Sequence, residues 1–226
     1  MEFLALLVAS GLVSGAAYGM IAMGFAVIYK ATGVVNFAQG ELVILTAYIA
    51  FSIASSLNLP FLALMAVTIP VAMLIGLALE RIFIRPMLGE PPFAIVMVTI
   101  GLAVILRGVT IMIWGPDPFD FPIGLPREPI RIGPLPFYPA QLAAMAALGV
   151  LVAAAWTFLR FSRYGIAMRA VAANEKAAML MGIAVNRIHS LAWVLSSAIA
   201  AVAGVLFAAN FKLGPDMWFQ GLKSFP

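Results

Sequence analysis

The chain of 226 residues contains no cysteine, a single histidine and very little charge, since only 10% of its residues are Asp, Glu, Lys or Arg. Without cysteine it can form neither a disulfide nor a thiolate metal site, and His189 alone cannot build a His-rich one, so we expect no metal site. The same shortage removes most nucleophile–base pairs, so we expect no catalytic residues. Soluble domains carry about 25% charged residues. The composition therefore excludes a soluble globular domain, a disordered chain and a protein whose partner is nucleic acid.

Long apolar runs are what the sequence has instead, with 64% hydrophobic residues. A bilayer span needs about 20 mostly apolar residues. Five such runs are present, and the second is long enough for two spans joined by a turn at Asn58-Leu59-Pro60, because proline after a polar residue ends a helix. The runs are Phe3–Tyr29, Leu42–Leu79, Phe93–Trp114, Phe137–Leu159 and His189–Phe211. We therefore predict an all-α integral membrane protein, a bundle of about six transmembrane helices forming one domain over 1–226.

The basic residues predict the orientation. If the N-terminus lies outside, the inside loops hold eight Lys and Arg and the outside loops four, and five of the eight fall in 160–189. Cytoplasmic loops are enriched in Lys and Arg, so we expect an outside N-terminus and a cytoplasmic loop at 160–188. The outside loop at 115–136 contains seven prolines, which prevent a long helix. It is interpreted as an extended cap or as a passive linker.

Small residues recur every four positions in two of the spans. The first span carries Gly11, Gly15 and Gly19, and the last carries Ser196, Ala200, Gly204 and Ala208. Each set lies on one helix face, and small residues let membrane helices approach closely. We predict that both sets are buried packing surfaces. The alternative is the smooth wall of a narrow path.

A polar segment at 30–41 separates the first two apolar runs. It contains Thr32, Asn36, Gln39 and Glu41, interrupted by apolar residues at 34–38. It is either a polar cytoplasmic turn or irregular backbone at membrane depth, which is tolerated only where protein buries it or water reaches it. In the second interpretation, the four polar side chains line a solute path.

Two further polar residues lie within or beside the spans. Arg107 either extends its side chain toward the outer interface or pairs with a carboxylate of a neighbouring helix. His189, at the inner interface, is interpreted as structural rather than as part of a proton relay.

The charged loop at 160–188 has the composition of a helix over Ile166–Met181, with Gly182 as its C-terminal stop. Such a helix is too charged to insert into the membrane. It lies either on the lipid headgroups or against a cytoplasmic protein.

These segments resemble a known family. Glu175-Lys176-Ala177-Ala178 followed by Gly182 is similar to the cytoplasmic coupling pattern of ABC importer permeases. The segments 169–183 and 33–41 resemble the branched-chain amino-acid permease family, and the resemblance extends from Gly11 to about Gly214. This chain differs from that family in having Gln39 where His is usual, and Glu-Lys-Ala-Ala where Glu-Ala-Ala is usual.

The resemblance implies the permease subunit of an ABC importer for branched-chain or other amino acids, in the inner membrane. It implies alternating access driven by ATP, with Arg169, Glu175, Ala177, Ala178 and Gly182 coupling the chain to the ATPase. Urea, amides or sugars are alternative substrates, and an ion-gradient-driven transporter or channel is the alternative of another class.

The implied partners are a second permease subunit, two ATP-binding subunits and a soluble extracytoplasmic binding protein. We expect no cofactor in this chain, which lacks the G-x-x-x-x-G-K-[ST] motif, and expect ATP and Mg to bind to the partner subunits. Family members continue past the sixth span, so we expect that the chain is truncated after Lys223-Ser-Phe-Pro226.

Overall fold

The computed structural model describes residues 2–57, 59–121, 125–126, 128–132 and 135–215, and nearly all of its regular structure is helical. A π-helical turn, Glu80–Ile84, and a 3₁₀ turn, Arg85–Met87, extend the third helix. An antiparallel hairpin pairs β1 (Ile130–Ile132) with β2 (Leu135–Phe137). The α-helices are α1 (Glu2–Thr32), α2 (Gln39–Leu57), α3 (Phe61–Leu79), α4 (Pro92–Trp114), α5 (Pro139–Phe161), α6 (Arg163–Ala173), α7 (Glu175–Leu180) and α8 (Val185–Phe211).

Six helices within the described residues are long and apolar enough to cross a membrane, which confirms the predicted multi-span fold. Four of the predicted apolar runs each match one helix to within a few residues, and the run Leu42–Leu79 covers α2 and α3. The turn between α2 and α3 lies where it was predicted, although Asn58 is outside the described residues. The orientation of the bundle stays a prediction from the charge distribution.

Helix α8 lies at the centre of the bundle and packs against α1, α2, α3 and α5. Close approach depends on two glycines. A Cβ added at Gly204 would press on the Val43 carbonyl oxygen and lie 3.2 Å from the Ala47 Cβ of α2. A Cβ at Gly76 of α3 would lie 2.9 Å from the Trp193 carbonyl oxygen. Ser196, Ala200, Gly204 and Ala208 are all buried, so this face of the last span packs within the bundle.

The packing surface predicted on the first span is wrong for two of its three glycines within this chain. Cβ atoms added at Gly11 or Gly15 would meet nothing within 4 Å, whereas one at Gly19 would lie 3.3 Å from Leu148 of α5. The bundle packs on a different side of α1, which buries Ala16, Ala17 and Met20. Spacing alone identified a stripe of small residues but not the partner that the stripe requires.

The described part of the proline-rich loop contains no helix, as its prolines predict. It folds back onto the end of the bundle, where Phe119 forms a bridge with Leu213 and Phe121 is buried. Pro122, Arg127, Pro134 and the chain end at 223–226 are outside the described residues.

Candidate functional site

The polar segment at 30–41 joins two helices without a regular turn. The Thr32 hydroxyl donates to the Ile28 carbonyl (2.9 Å) in the last turn of α1, and the helix ends before Gly33, whose φ of +67° would strain a residue with a side chain. The chain is then non-helical until α2 begins at Gln39. Within this stretch the Asn36 Oδ1 accepts a hydrogen bond from the Ala38 N–H at 3.0 Å.

The segment lies inside the bundle, beside the middle of other helices. The Gln39 side chain contacts Gly24 of α1, which lies about 12 Å from the Thr32 end of that helix at 1.5 Å per residue. The Phe37 N–H donates to the Thr99 hydroxyl (3.2 Å), about 10 Å into α4. Asn36 is 1% exposed. The segment is therefore irregular backbone at the depth of the spans and not a solvated cytoplasmic turn.

A cavity of about 400 Å³ begins at this segment and ends at the loop helix α7. Thr32 and Asn36 line it from one side and Asn174, Glu175 and Lys176 from the other. The cavity therefore brings two groups of predicted site residues together, although they are far apart in the sequence. The Asn36 Nδ2 has no hydrogen-bond partner among the described residues.

Gln39 does not line this cavity. Its side chain is fully buried, and its Oε1 lies 2.8 Å from the Ser196 Oγ of α8. The same hydroxyl lies 2.9 Å from the Gly24 carbonyl oxygen of α1, so it donates between two acceptors on different helices. In this conformation Gln39 thus joins α1, α2 and α8.

Glu41 lies on another side of the segment, where it shares a cavity of about 240 Å³ with Arg107 of α4. Glu41 is buried, and the two opposite charges attract each other. Of the two interpretations of Arg107, the structure supports the one with a carboxylate partner on a neighbouring helix.

A buried charge network was missed in the sequence. Glu80, whose side chain is fully buried, accepts hydrogen bonds from Arg85 at 3.2 and 3.3 Å, and Ser190 of α8 donates to it at 2.9 Å. Arg85 also donates to the Ser190 Oγ at 2.7 Å. This network ties the end of the third span to the start of the last. A carboxylate directly after an apolar run, with Arg five residues later, was the available signal.

The charged loop forms two helices and not the one that was predicted over Ile166–Met181. The break is at Asn174, which has extended backbone (φ −160°, ψ 103°) and caps α7 through its Oδ1, which accepts from the Ala177 N–H at 3.0 Å. Asparagine is among the preferred N-cap residues, and this outweighs the helix propensity of its neighbours. Gly182 follows α7 at φ +82°, which confirms the predicted stop.

The two loop helices dock on the bundle through a small apolar cluster of their own. Met168, Val171 and Ala178 pack with Ala31 at the end of α1 and with residues at the start of α8. Ala178 is only 4% exposed and so faces the bundle, whereas Leu180 and Met181 are 88% and 83% exposed. These two exposed apolar residues were not singled out in the sequence.

Arg169 lies apart from the other predicted coupling residues. It lines an open groove of about 840 Å³ together with Tyr29, Lys30 and Gly33 at the end of α1. The structure therefore joins Glu175 to the polar segment through one cavity and Arg169 through another.

An all-α bundle with a polar segment at membrane depth and a charged loop docked beneath it has the features of a membrane transport protein. Comparison with known sequences defines the family: the model of the branched-chain amino acid transport system permease component matches residues 7–222, and the chain belongs to this family. It is therefore a multi-pass protein of the inner membrane.

Curated relatives agree with this assignment. The chain is 29% identical to the high-affinity branched-chain amino acid transport system permease protein LivH of Salmonella typhimurium, and 30% identical to BraD of Pseudomonas aeruginosa. Both matches cover 96% of this chain and 75% of the relative. The autoinducer 2 import system permease protein LsrC of Enterobacter is 29% identical over 80% of this chain and 54% of its own length. No solved structure matches the chain significantly.

Proposed function

We propose that this chain is the membrane subunit of an ATP-driven importer of branched-chain amino acids. The relatives LivH and BraD, which match 96% of the chain, are named for that substrate class. The observation that carries the proposal is the cavity of about 400 Å³ that runs from the polar segment at membrane depth to the loop helix α7. In an ATP-driven importer the solute path must be linked to the segment that contacts the ATP-binding subunit. The cavity provides such a link, because the polar segment and α7 both line it.

In this proposal the solute passes beside Thr32 and Asn36. A zwitterion that leaves water needs hydrogen-bond partners, and the buried Asn36 Nδ2 is a donor without a partner in the described part of the chain. Gln39 acts differently, by holding α1, α2 and α8 in register through Ser196. Glu41 contributes through its attraction to Arg107, which keeps α4 beside the path.

ATP hydrolysis takes place in separate subunits, and a soluble protein delivers the solute from outside. A second permease subunit completes the path. We propose that the ATP-binding subunit docks on the exposed end of α7, at Ala177, Leu180 and Met181, and that Glu175 and Gly182 set the position of that helix. Ala178 faces the bundle, so its part is to seat α7. Movement of α7 then changes the cavity that it lines, which gives alternating access.

Uptake by the reconstituted complex tests the substrate and the path. Proteoliposomes containing this chain, its ATP-binding subunits and its binding protein should take up leucine, isoleucine and valine with ATP inside, but not urea or ribose. Asn36→Leu should reduce leucine uptake roughly tenfold, because it removes a donor to a charged solute. Ser56→Leu, on the exposed end of α2, is the control and should keep full uptake. Unchanged uptake by Asn36→Leu would show that the segment is only a turn.

Co-purification tests the docking surface. Leu180→Asp places a charge on the exposed end of α7 and should release the ATP-binding subunits from the membrane subunit. Leu57→Asp, at the exposed end of α2, is the matched control and should retain them. Full retention by Leu180→Asp, together with ATP-dependent uptake, would reject the proposed surface.

A further inference from the structure

The cavity between the polar segment and α7 has two buried side chains with polar atoms that lack partners in the part of the chain that the structure describes. Asn36 is 1% exposed and His189 is 5% exposed. The Asn36 Nδ2 and both ring nitrogens of His189 lack hydrogen-bond partners among the described residues, and both side chains line the cavity. Buried polar atoms are nearly always paired, and an unpaired one costs about 1–3 kcal/mol. Two such groups facing one cavity are available to bind a polar ligand there.

The cavity is lined by both hydrogen-bond donors and carboxylates. The Asn36 Oδ1 is already occupied by the Ala38 N–H, so the free atom of that amide is the donor Nδ2. A neutral imidazole supplies a further N–H from His189. Two carboxylates line the same cavity, together with Lys176: Glu175 is half-buried on α7, and Glu90 is exposed just before α4.

Apolar side chains form the remaining wall. Trp193, Ile28 and Ile84 line the cavity and are almost completely buried. A volume of about 400 Å³ falls in the range of about 300–1,000 Å³ that is typical of small-molecule sites. Buried donors, an apolar wall and carboxylates in one cavity together match a small molecule with a carboxylate, an apolar side chain and an ammonium group.

The geometry points to a binding site for a zwitterionic apolar amino acid in this cavity, entered from the side of the charged loop and closed by α7. The carboxylate of the solute accepts hydrogen bonds from Asn36 and His189, and its ammonium group faces Glu175 and Glu90. The site rests on the proposed function for its choice of solute. The inference goes beyond that function in two ways. The permease binds the amino acid without the binding protein, and the bound amino acid contacts α7, the helix that we propose moves with the ATPase.

Cysteine protection tests the site in a chain that has no cysteine of its own. Leu88→Cys places a thiol on the apolar wall without removing a polar group. In open membranes that contain the permease and its ATP-binding subunits, without ATP or binding protein, L-leucine should slow labelling by a membrane-impermeant thiol reagent. Leu180→Cys lies outside the cavity, and its labelling should not respond.

Two analogues of leucine test its ammonium group and its carboxylate separately. 4-Methylpentanoate has the leucine skeleton without the ammonium group, and 3-methylbutylamine has it without the carboxylate. Each should protect Leu88→Cys at least tenfold more weakly than leucine does, since each loses hydrogen bonds to charged groups. Adding His189→Leu should weaken protection by leucine roughly tenfold. Adding Ser197→Ala removes another unpartnered polar atom of α8 that is outside the cavity, and protection should persist.

Failure of this site and failure of the proposed function give different results. Full labelling of Leu88→Cys at saturating leucine, in a complex that still imports leucine with ATP and the binding protein, would overturn the site and leave the importer standing. Equal protection by leucine and by 3-methylbutylamine would also overturn it, because the carboxylate would then make no contact. Protection by leucine in a complex that imports no amino acid with all components present would instead reject the proposed function.

Discussion

Helices α5 and α8 are equally apolar but occupy opposite positions in the bundle. Over their most apolar windows they have the same mean hydropathy, yet 6% of that window is buried in α5 and 72% in α8. In α5 the described residues include one that is buried, Ala144, and large side chains such as Val150 and Trp156 are more than half exposed. In α8 most residues are buried, among them Ser196, Gly204 and His189.

The difference lies in where the polar groups of each helix find partners. The Thr157 hydroxyl donates to the Ala153 carbonyl of the same helix, α5 (2.6 Å), so this bond does not link α5 to a neighbouring helix. In α8 the Ser196 hydroxyl reaches acceptors on α1 and α2, and the Ser190 hydroxyl reaches Glu80. Lipid is as apolar as leucine, so apolar area does not choose between neighbours in a membrane. Interhelical hydrogen bonds and close backbone contacts do.

The largest effect should come from filling a close contact of α8. Gly204→Leu forces a side chain against the Val43 carbonyl oxygen, which cannot yield without moving α2, so we expect a loss of about 3 kcal/mol in stability. Gly149→Leu is the matched control in α5, where an added Cβ meets nothing within 4 Å. The fraction of monodisperse permease that survives heating in detergent measures both. Equal thermal stability of the two variants would show that α8 is not held by close packing.

The next effect should come from the buried charge at the start of α8. Glu80→Ala leaves Arg85 and Ser190 without their shared acceptor, so we expect about 2 kcal/mol of destabilisation. Asp120→Ala is the comparison, because Asp120 and Lys212 form an ion pair (3.5 Å) in which both side chains are more than two-thirds exposed. Its loss should not change the melting temperature measurably. If Asp120→Ala lowered the melting temperature as much as Glu80→Ala, burial would not explain the contribution of the Glu80–Arg85 pair to stability.

The spans of this protein were predictable because they depend on composition over about 20 residues. The ends of α4 and α8 at Trp114 and Phe211 were predicted to the residue, since the apolar runs stop there. The depth of Asn36 could only be posed as a choice between two interpretations. The position of the segment depends on the contacts of its neighbours Phe37 with Thr99 and Gln39 with Ser196, which lie far along the chain.

Other features of the site could not be predicted for a related physical reason. Nothing in the residue pattern distinguishes Gly15 from Gly204, because spacing is a property of one helix and packing is a property of two. The break at Asn174 was visible in principle, since asparagine favours N-caps, but the helix-forming residues on both sides obscured it. The donors to Glu80 came from two separate parts of the sequence: Arg85 was counted only as a loop charge, and Ser190 only as part of the last apolar run.

A smaller effect should come from a single interhelical hydroxyl. Ser196→Ala removes the group between the Gly24 carbonyl and the Gln39 Oε1, so we expect about 1 kcal/mol of destabilisation. Ser197→Ala, at the next residue, removes a buried hydroxyl that has no partner among the described residues, and should leave stability unchanged or slightly raised. Thermal melting of the two purified variants checks the difference. Identical losses of stability in the two variants would mean that Ser196 stabilises the protein through the size of its side chain and not through its hydrogen bond.

The smallest effect is expected on the open face of α1. Gly15→Leu adds a side chain where nothing lies within 4 Å, and leucine favours helix more than glycine does, so the purified permease should melt at the same temperature or slightly higher. Gly19→Leu, one turn further along, meets Leu148 at 3.3 Å, a flexible side chain that can move, so a small loss is expected there. A lower melting temperature for Gly15→Leu than for Gly19→Leu would contradict the fold. It would show that α1 packs through its glycine stripe, as the spacing of those glycines first suggested, and not through the side that buries Ala17 and Met20.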